Sequence, residues 1–202
     1  MIDIKGLIIN TIAILFVLTT HEFAHGLVAY WNGDNTAKKM HRLTLNPLKH
    51  LDLLGTISMI FLKFGWAKPV PIDTRKFTHR RFGLFTVSMA GIIMNFLTSF
   101  IVILILPRLN FDNILTDILK SIALYGIVLG VFNFIPVPPL DGSKILASLL
   151  PVKFEYLIYK YEKYSYIILI ILIMSGAINK FIYPIIEEIL RLFFYISLGL
   201  GF

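Results

Sequence analysis

Cysteine is absent from the 202 residues, which excludes disulfides, thiolate catalysis and cysteine-based zinc sites together. Charge is scarce too. Only 15% of the residues are Asp, Glu, Lys or Arg against 57% hydrophobic, and the mean hydropathy is +0.79, far from the balance of a soluble domain. Phe82 to Pro107 and Ser121 to Leu140 contain no Asp, Glu, Lys, Arg or His, and each reaches the roughly 20 residues that cross a bilayer core as helix. Gly6 to Thr20 is charge-free as well, with apolar character continuing to Trp31, and Tyr164 to Asn179 and Leu192 to Phe202 are shorter charge-free runs. The chain therefore reads as an α-helical multi-pass membrane protein with about four to five transmembrane helices. One membrane-embedded domain is expected over residues 1–202, with core spans and motifs in 6–150 and C-terminal helices in 164–202. The stretch from Phe181 to Phe202 carries Glu187, Glu188 and Arg191, so it is either a fifth span or an interfacial helix.

No small-residue cleavage site follows Met1 to Thr20, so that segment reads as an uncleaved span rather than a secretory signal. The net charge of +7 does not point to nucleic acid, because the basic residues form no aromatic-interleaved binding face. They mark topology instead. Ten of the nineteen Lys and Arg residues fall between Asn32 and Arg81, which predicts that this segment faces the cytoplasm and that the loop from Pro107 to Lys120 lies outside. Within the segment, "MHRLTL" alternates and "GTISMIFLKFGWAKPVPI" is rich in β-branched and aromatic residues. A short membrane-associated β segment between the first and second spans is the expectation. A short helix is expected from Gly142 to Leu150, closed by Pro151, and Trp66 with the tyrosines from Tyr156 to Tyr166 reads as an aromatic belt.

Against this apolar background, "LTTHEFAHGLVAYW" (residues 18–31) is anomalous, because ionisable groups at membrane depth are costly unless satisfied. His21 and His25 are four residues apart, so on a helix they share a face and can present two imidazoles to one metal ion. Glu22 projects beside them as a general base would, the arrangement of zinc hydrolases. Such a site needs a third protein ligand. The candidates are His41, His50, His79, Asp52, Asp73, Glu155 and Asp141. Asp141 follows "NFIPVPPL", where three prolines force a helix to end and so deliver a carboxylate at the end of a break. A plain helix cap is the alternative role for Asp141, and His50 is the next metal candidate. Asn95, inside a charge-free run, is either interhelical glue or a site residue, and Asn133 either lines the site or satisfies carbonyls freed by the prolines.

"HEFAH" in one hydrophobic run and "NFIPVPPLDG" in a later one resemble the site-2 protease family of intramembrane zinc metalloproteases. The minimal form without PDZ or CBS domains is the closest in pattern. "GDNTAK", "RLTLNPLKHLD", "GWAKPVPID" and "AGIIMNF" are similar to the family as well, so the resemblance runs from about residue 7 to 150. It implies His21, His25 and Asp141 as ligands of one Zn2+ per chain, Glu22 as catalytic base, and Asn95 and Asn133 lining the site. It further implies hydrolysis within or next to transmembrane segments of membrane-protein substrates, as in regulated intramembrane proteolysis. Two positions depart from the family pattern: His41 stands where a glycine usually precedes "RLTLNP", and Leu53 where a proline usually follows the aspartate.

The charge bias agrees with this reading. With Asn32 to Arg81 inside, the first span carries HEFAH in its cytoplasmic half, and the third span returns to deliver Asp141 on the same side. The expected location is the cell membrane, with the active site toward the cytoplasm. A transporter or ion-binding protein with a proline-broken helix is the rival reading; it leaves Glu22 without a task.

Overall fold

A computed structural model describes residues 3–52, 55, 67–109 and 113–199. Seven α-helices are present among them: α1 (Ile4–Trp31), α2 (Thr36–Lys39), α3 (Arg80–Ile105), α4 (Ile114–Asn133), α5 (Asp141–Leu149), α6 (Val152–Met174) and α7 (Ala177–Gly199). Local chemistry marks several of the helix ends. Asp3 caps α1 by accepting from the Gly6 N–H at 3.0 Å, and Asn113 caps α4 by accepting from Leu115 and Thr116. Both satisfy amides that the first turn leaves without partners. The α3 helix tightens into a 3-10 turn, Leu106–Arg108, at Pro107; α4 ends three residues before Pro136, and Gly176, at φ +72, separates α6 from α7.

The α1, α3 and α4 helices are long and apolar enough to cross a membrane. At 28 residues, α1 is about 42 Å long. These three pack against one another around Ala13, Val17, Ile103, Ile122, Ile127 and Val131, and α7 adds Ile182 and Ile186 to the same core. On the outward faces, Ile8, Ile12 and Phe16 of α1 and Ile93, Leu97, Ile101 and Ile105 of α3 are exposed. Their four-residue spacing makes apolar stripes pointing away from the protein, which suits lipid rather than water. The α6 helix is tied to the start of α3 by an ion pair between Arg80 and the buried Glu155, and Arg81 donates to the Leu150 carbonyl.

Two sequence expectations are corrected. The β segment is not seen: the described part of 40–72 contains no strand, only one isolated antiparallel bridge between Leu51 and Ala67, and the rest of that expectation, over 53–54 and 56–66, lies outside the described residues. The alternation in "MHRLTL" reflects a turn-rich segment whose polar side chains bond the backbone, not a ladder. Asn46 accepts from the Leu48 N–H and Thr44 Oγ1 from the Asn46 N–H. The second correction concerns α6, which begins at Val152, twelve residues before the charge-free run, because hydropathy registers only the apolar part of a helix whose first turns carry Lys153, Glu155, Lys160 and Glu162. The departure at His41 also has a counterpart: its φ is +52, the left-handed region that glycine enters freely and histidine only at a cost.

Candidate metal centre

Helix α1 sets His21 and His25 one turn apart, and their Nε2 atoms lie 2.9 Å from each other. Asp141, 116 residues away in sequence, opens α5 and brings Oδ2 to 3.0 Å from His25 Nε2 and 3.1 Å from His21 Nε2. All three side chains are buried, and among the described residues they are the one group of His, Cys, Asp and Glu that could hold a metal. Acceptor atoms packed this closely repel one another unless a proton or a cation sits among them. Ligands of tetrahedral zinc at about 2.0–2.1 Å stand roughly 3.3 Å apart, so the triangle fits zinc with a few tenths of an ångström of expansion. Two imidazoles and one carboxylate, with a fourth position free, are the donor set of a catalytic site. The capping alternative for Asp141 does not apply: the cap position is Leu140, no side-chain capping bond forms, and Asp141 Oδ1 accepts from Lys144 Nζ at 3.3 Å.

Further groups orient the imidazoles. His25 Nδ1–H donates to the Val87 carbonyl at 2.6 Å, which fixes the tautomer and leaves Nε2 for a metal. Asn95, fully buried on α3, holds its amide 3.1 Å from His21 Nδ1, while its Oδ1 lacks a partner among the described residues. The two ends of an amide have nearly the same shape. With the oxygen turned toward His21 it accepts from Nδ1–H, the unpaired acceptor is satisfied and Nε2 of His21 is also left bare. Gly91 faces both rings: an added Cβ would stand 2.5 Å from His21 Cε1 and from His25 Nε2. Gly91→Ala is therefore expected to displace both imidazoles and lower zinc affinity by about tenfold or more, measured by competition with a chromogenic chelator; wild-type affinity in the variant would show that the rings have room to yield.

Asp141 reaches the histidines because the chain doubles back ahead of it. Turns are closed by Val137 N–H to Ile135 O at 2.8 Å and by Leu140 N–H to Val137 O at 3.0 Å. A Cβ at Gly142 would collide with the carbonyls of Phe134 and Ile135, so the glycine after the aspartate permits α5 to start against that turn. Glu22 is partly exposed, and its Oε2 accepts from the Val70 N–H at 2.7 Å.

The remaining sequence candidates make other contacts. Asn133 donates to the Leu129 carbonyl one turn back, at 3.1 Å. His50 is buried, with Nε2–H donating to the Thr44 carbonyl at 2.8 Å. Asp73 bonds its own turn and Arg75, whose guanidinium lowers its pKa to about 2. Glu155 pairs with Arg80, and His41, His79 and Asp52 are outside the cluster. Sequence reasoning missed the Val87 carbonyl, Gly91 and the Val70 amide. Two of the three are backbone atoms, which no side-chain motif reveals; Gly91 left a trace in the small pair Ala90 and Gly91.

Residues 109–176 match the model of Peptidase family M50. The protein named "Putative zinc metalloprotease YwhC" in Bacillus subtilis is 35% identical over 195 residues, spanning 90% of this chain and 89% of its own length. "Putative zinc metalloprotease Rip2" of Mycobacterium tuberculosis is 27% identical over 181 residues, 85% of this chain and 69% of that one. "Zinc metalloprotease MJ0392" of Methanocaldococcus jannaschii is 25% identical over 150 residues, 72% and 37% respectively. No solved structure matches the chain at a significant level.

Proposed function

This chain belongs to peptidase family M50, the site-2 protease family of intramembrane zinc metalloproteases, and we infer that it hydrolyses peptide bonds within or next to transmembrane segments of membrane proteins. His21, His25 and Asp141 would hold one Zn2+ per chain and Glu22 would be the general base. The observation that carries this reading is the buried triangle of His21, His25 and Asp141. Zinc, when bound, supplies Lewis acidity toward a carbonyl and lowers the pKa of water to about 7. Glu22 takes the proton from the attacking water and returns it to the departing amine. Val87 and Asn95 keep the imidazole tautomers fixed. A substrate helix, its carbonyls tied in internal hydrogen bonds, unwinds locally before it can be cut. The test is incubation of the purified protein with a panel of tagged single-span proteins. Cleavage inside or beside a span, abolished by a chelator and restored by added zinc, is expected; ion flux in liposomes without cleavage would favour a transporter.

The protein is a membrane protein, and the lysine and arginine bias of Asn32 to Arg81 supports a cytoplasm-facing site. We read α6 and α7 as two further membrane helices beside α1, α3 and α4. The Arg80–Glu155 pair supports this for α6 by joining its first turns to the cytoplasmic end of α3, and Ile182 and Ile186 in the common core support it for α7. Because the chain lacks cysteine, single cysteines test the orientation cleanly. In intact cells a membrane-impermeant thiol reagent should label Asn110→Cys and spare Thr78→Cys and Lys153→Cys, whereas inverted vesicles should give the reverse. Labelling of Lys153→Cys without Thr78→Cys in intact cells would place α5 and α6 on the opposite side from the end of α1, and the assigned zinc site could not form.

A further inference from the structure

Residues 67–73 read Ala-Lys-Pro-Val-Pro-Ile-Asp. Proline has no N–H, so over 69–71 the backbone offers a single donor, the amide of Val70. That amide donates to Glu22 Oε2 at 2.7 Å. The Val70 side chain is buried and lies against Gly26, where an added Cβ would meet its Cγ1 at 3.2 Å. Gly26 is four residues after Glu22 and so on the same face of α1. The segment is anchored on both sides of this contact. Arg42 Nη2 donates to the carbonyls of Lys68 at 2.9 Å and Pro69 at 3.2 Å. The Lys68 N–H donates to His50 O at 2.8 Å, and the Asp73 N–H to the buried Asp34 carboxylate at 2.7 Å.

We propose that the Val70 backbone amide, clamped by Arg42, is the positioning donor for Glu22 in the hydrolytic reaction. A glutamate on a partly exposed helix face samples many rotamers, and a proton acceptor works only within hydrogen-bond reach of its proton. The amide holds Oε2 in one place and leaves Oε1 as the proton-accepting oxygen. The flanking prolines, with φ fixed near −65°, keep the donor from turning away. The role of Gly26 follows: a larger residue there would lift Val70 and its amide off Glu22. The proposal rests on Glu22 being the general base.

The test uses the full chain, with cleavage of a tagged single-span substrate, zinc content and amide hydrogen exchange as readouts. Val70→Pro removes the donor and Val70→Ala keeps it. The first should lower kcat by at least about tenfold, the effect expected of a lost hydrogen bond to a charged group, with KM and zinc content unchanged; the second, which keeps the donor and loses only side-chain packing, should lose clearly less kcat than the first. Wild-type kcat in Val70→Pro, or an equal loss in Val70→Ala, would overturn the proposal. Should Val70→Pro fail to fold, Arg42→Gln decides. It loosens the clamp from the other side, and a fall in kcat at constant KM and zinc content supports the proposal, whereas an unchanged kcat overturns it. Independently of any substrate, Glu22→Ala should speed exchange of one amide in the 67–73 peptide, and unchanged protection there would show that Val70 does not depend on Glu22. A wild-type protein that cuts nothing would sink the protease reading instead, leaving the exchange result to stand alone.

Discussion

Glu22→Gln is expected to keep about one zinc per chain and to lose peptide-bond cleavage by roughly a thousandfold, the middle of the range for removing a positioned acid–base group, or about 4 kcal/mol of barrier. The two properties separate because the carboxylate is outside the triangle formed by His21, His25 and Asp141. An amide of nearly the same shape can still accept from the Val70 N–H but cannot take a proton from water. Helix packing around Glu22 should therefore survive, and thermal stability should stay close to wild type. The measurement is zinc by atomic absorption beside cleavage of a tagged substrate in the same preparation. Cleavage within about tenfold of wild type would remove Glu22 from the chemistry; loss of zinc would instead make it a ligand.

Asp141→Ala should weaken zinc binding by well over tenfold, more than the loss of an orienting partner costs, while His50→Ala should leave it unchanged. The structural reason is direct. Asp141 Oδ2 is within 3.1 Å of both imidazole Nε2 atoms, whereas His50 spends its Nε2–H on the Thr44 carbonyl. Removing the carboxylate leaves two neutral imidazoles to hold a dication at a buried site, a poor exchange for water. Asp141→Asn distinguishes charge from shape: it keeps an oxygen ligand, so its affinity should fall between the wild type and Asp141→Ala. Zinc retained in Asp141→Ala and lost in His50→Ala would reverse the assignment.

Much of this site was legible in the chain. Two histidines at i and i+4 share a helix face by geometry alone, and a glutamate between them in an apolar run needs an explanation that solvent cannot supply. The prolines before Asp141 could only end a helix. Hydropathy likewise found α1, α3 and α4, because a run without charge has few other places to be. It misjudged α6, whose charged first turns carry Glu155, paired with Arg80 from a distant part of the sequence. It also suggested strands in 40–72 where the described residues make turns, since alternation records which side is apolar and not whether a partner strand exists.

Sequence by itself thus determined the class of protein, the helical placement of His21, Glu22 and His25, and a short list of third ligands. Tertiary structure brings one member of that list, Asp141, against the two imidazoles, because packing of α5 against α3 sets side by side atoms 116 residues apart. It also decided what the motif cannot encode: the Val87 carbonyl that sets the His25 tautomer, the Asn95 amide on His21, the missing side chain at Gly91 and the Val70 amide on Glu22. The division has one physical cause. A residue's spacing along a helix is fixed locally by 3.6 residues per turn, while an imidazole's proton and a carboxylate's orientation are fixed by whichever neighbour the fold places within about 3 Å.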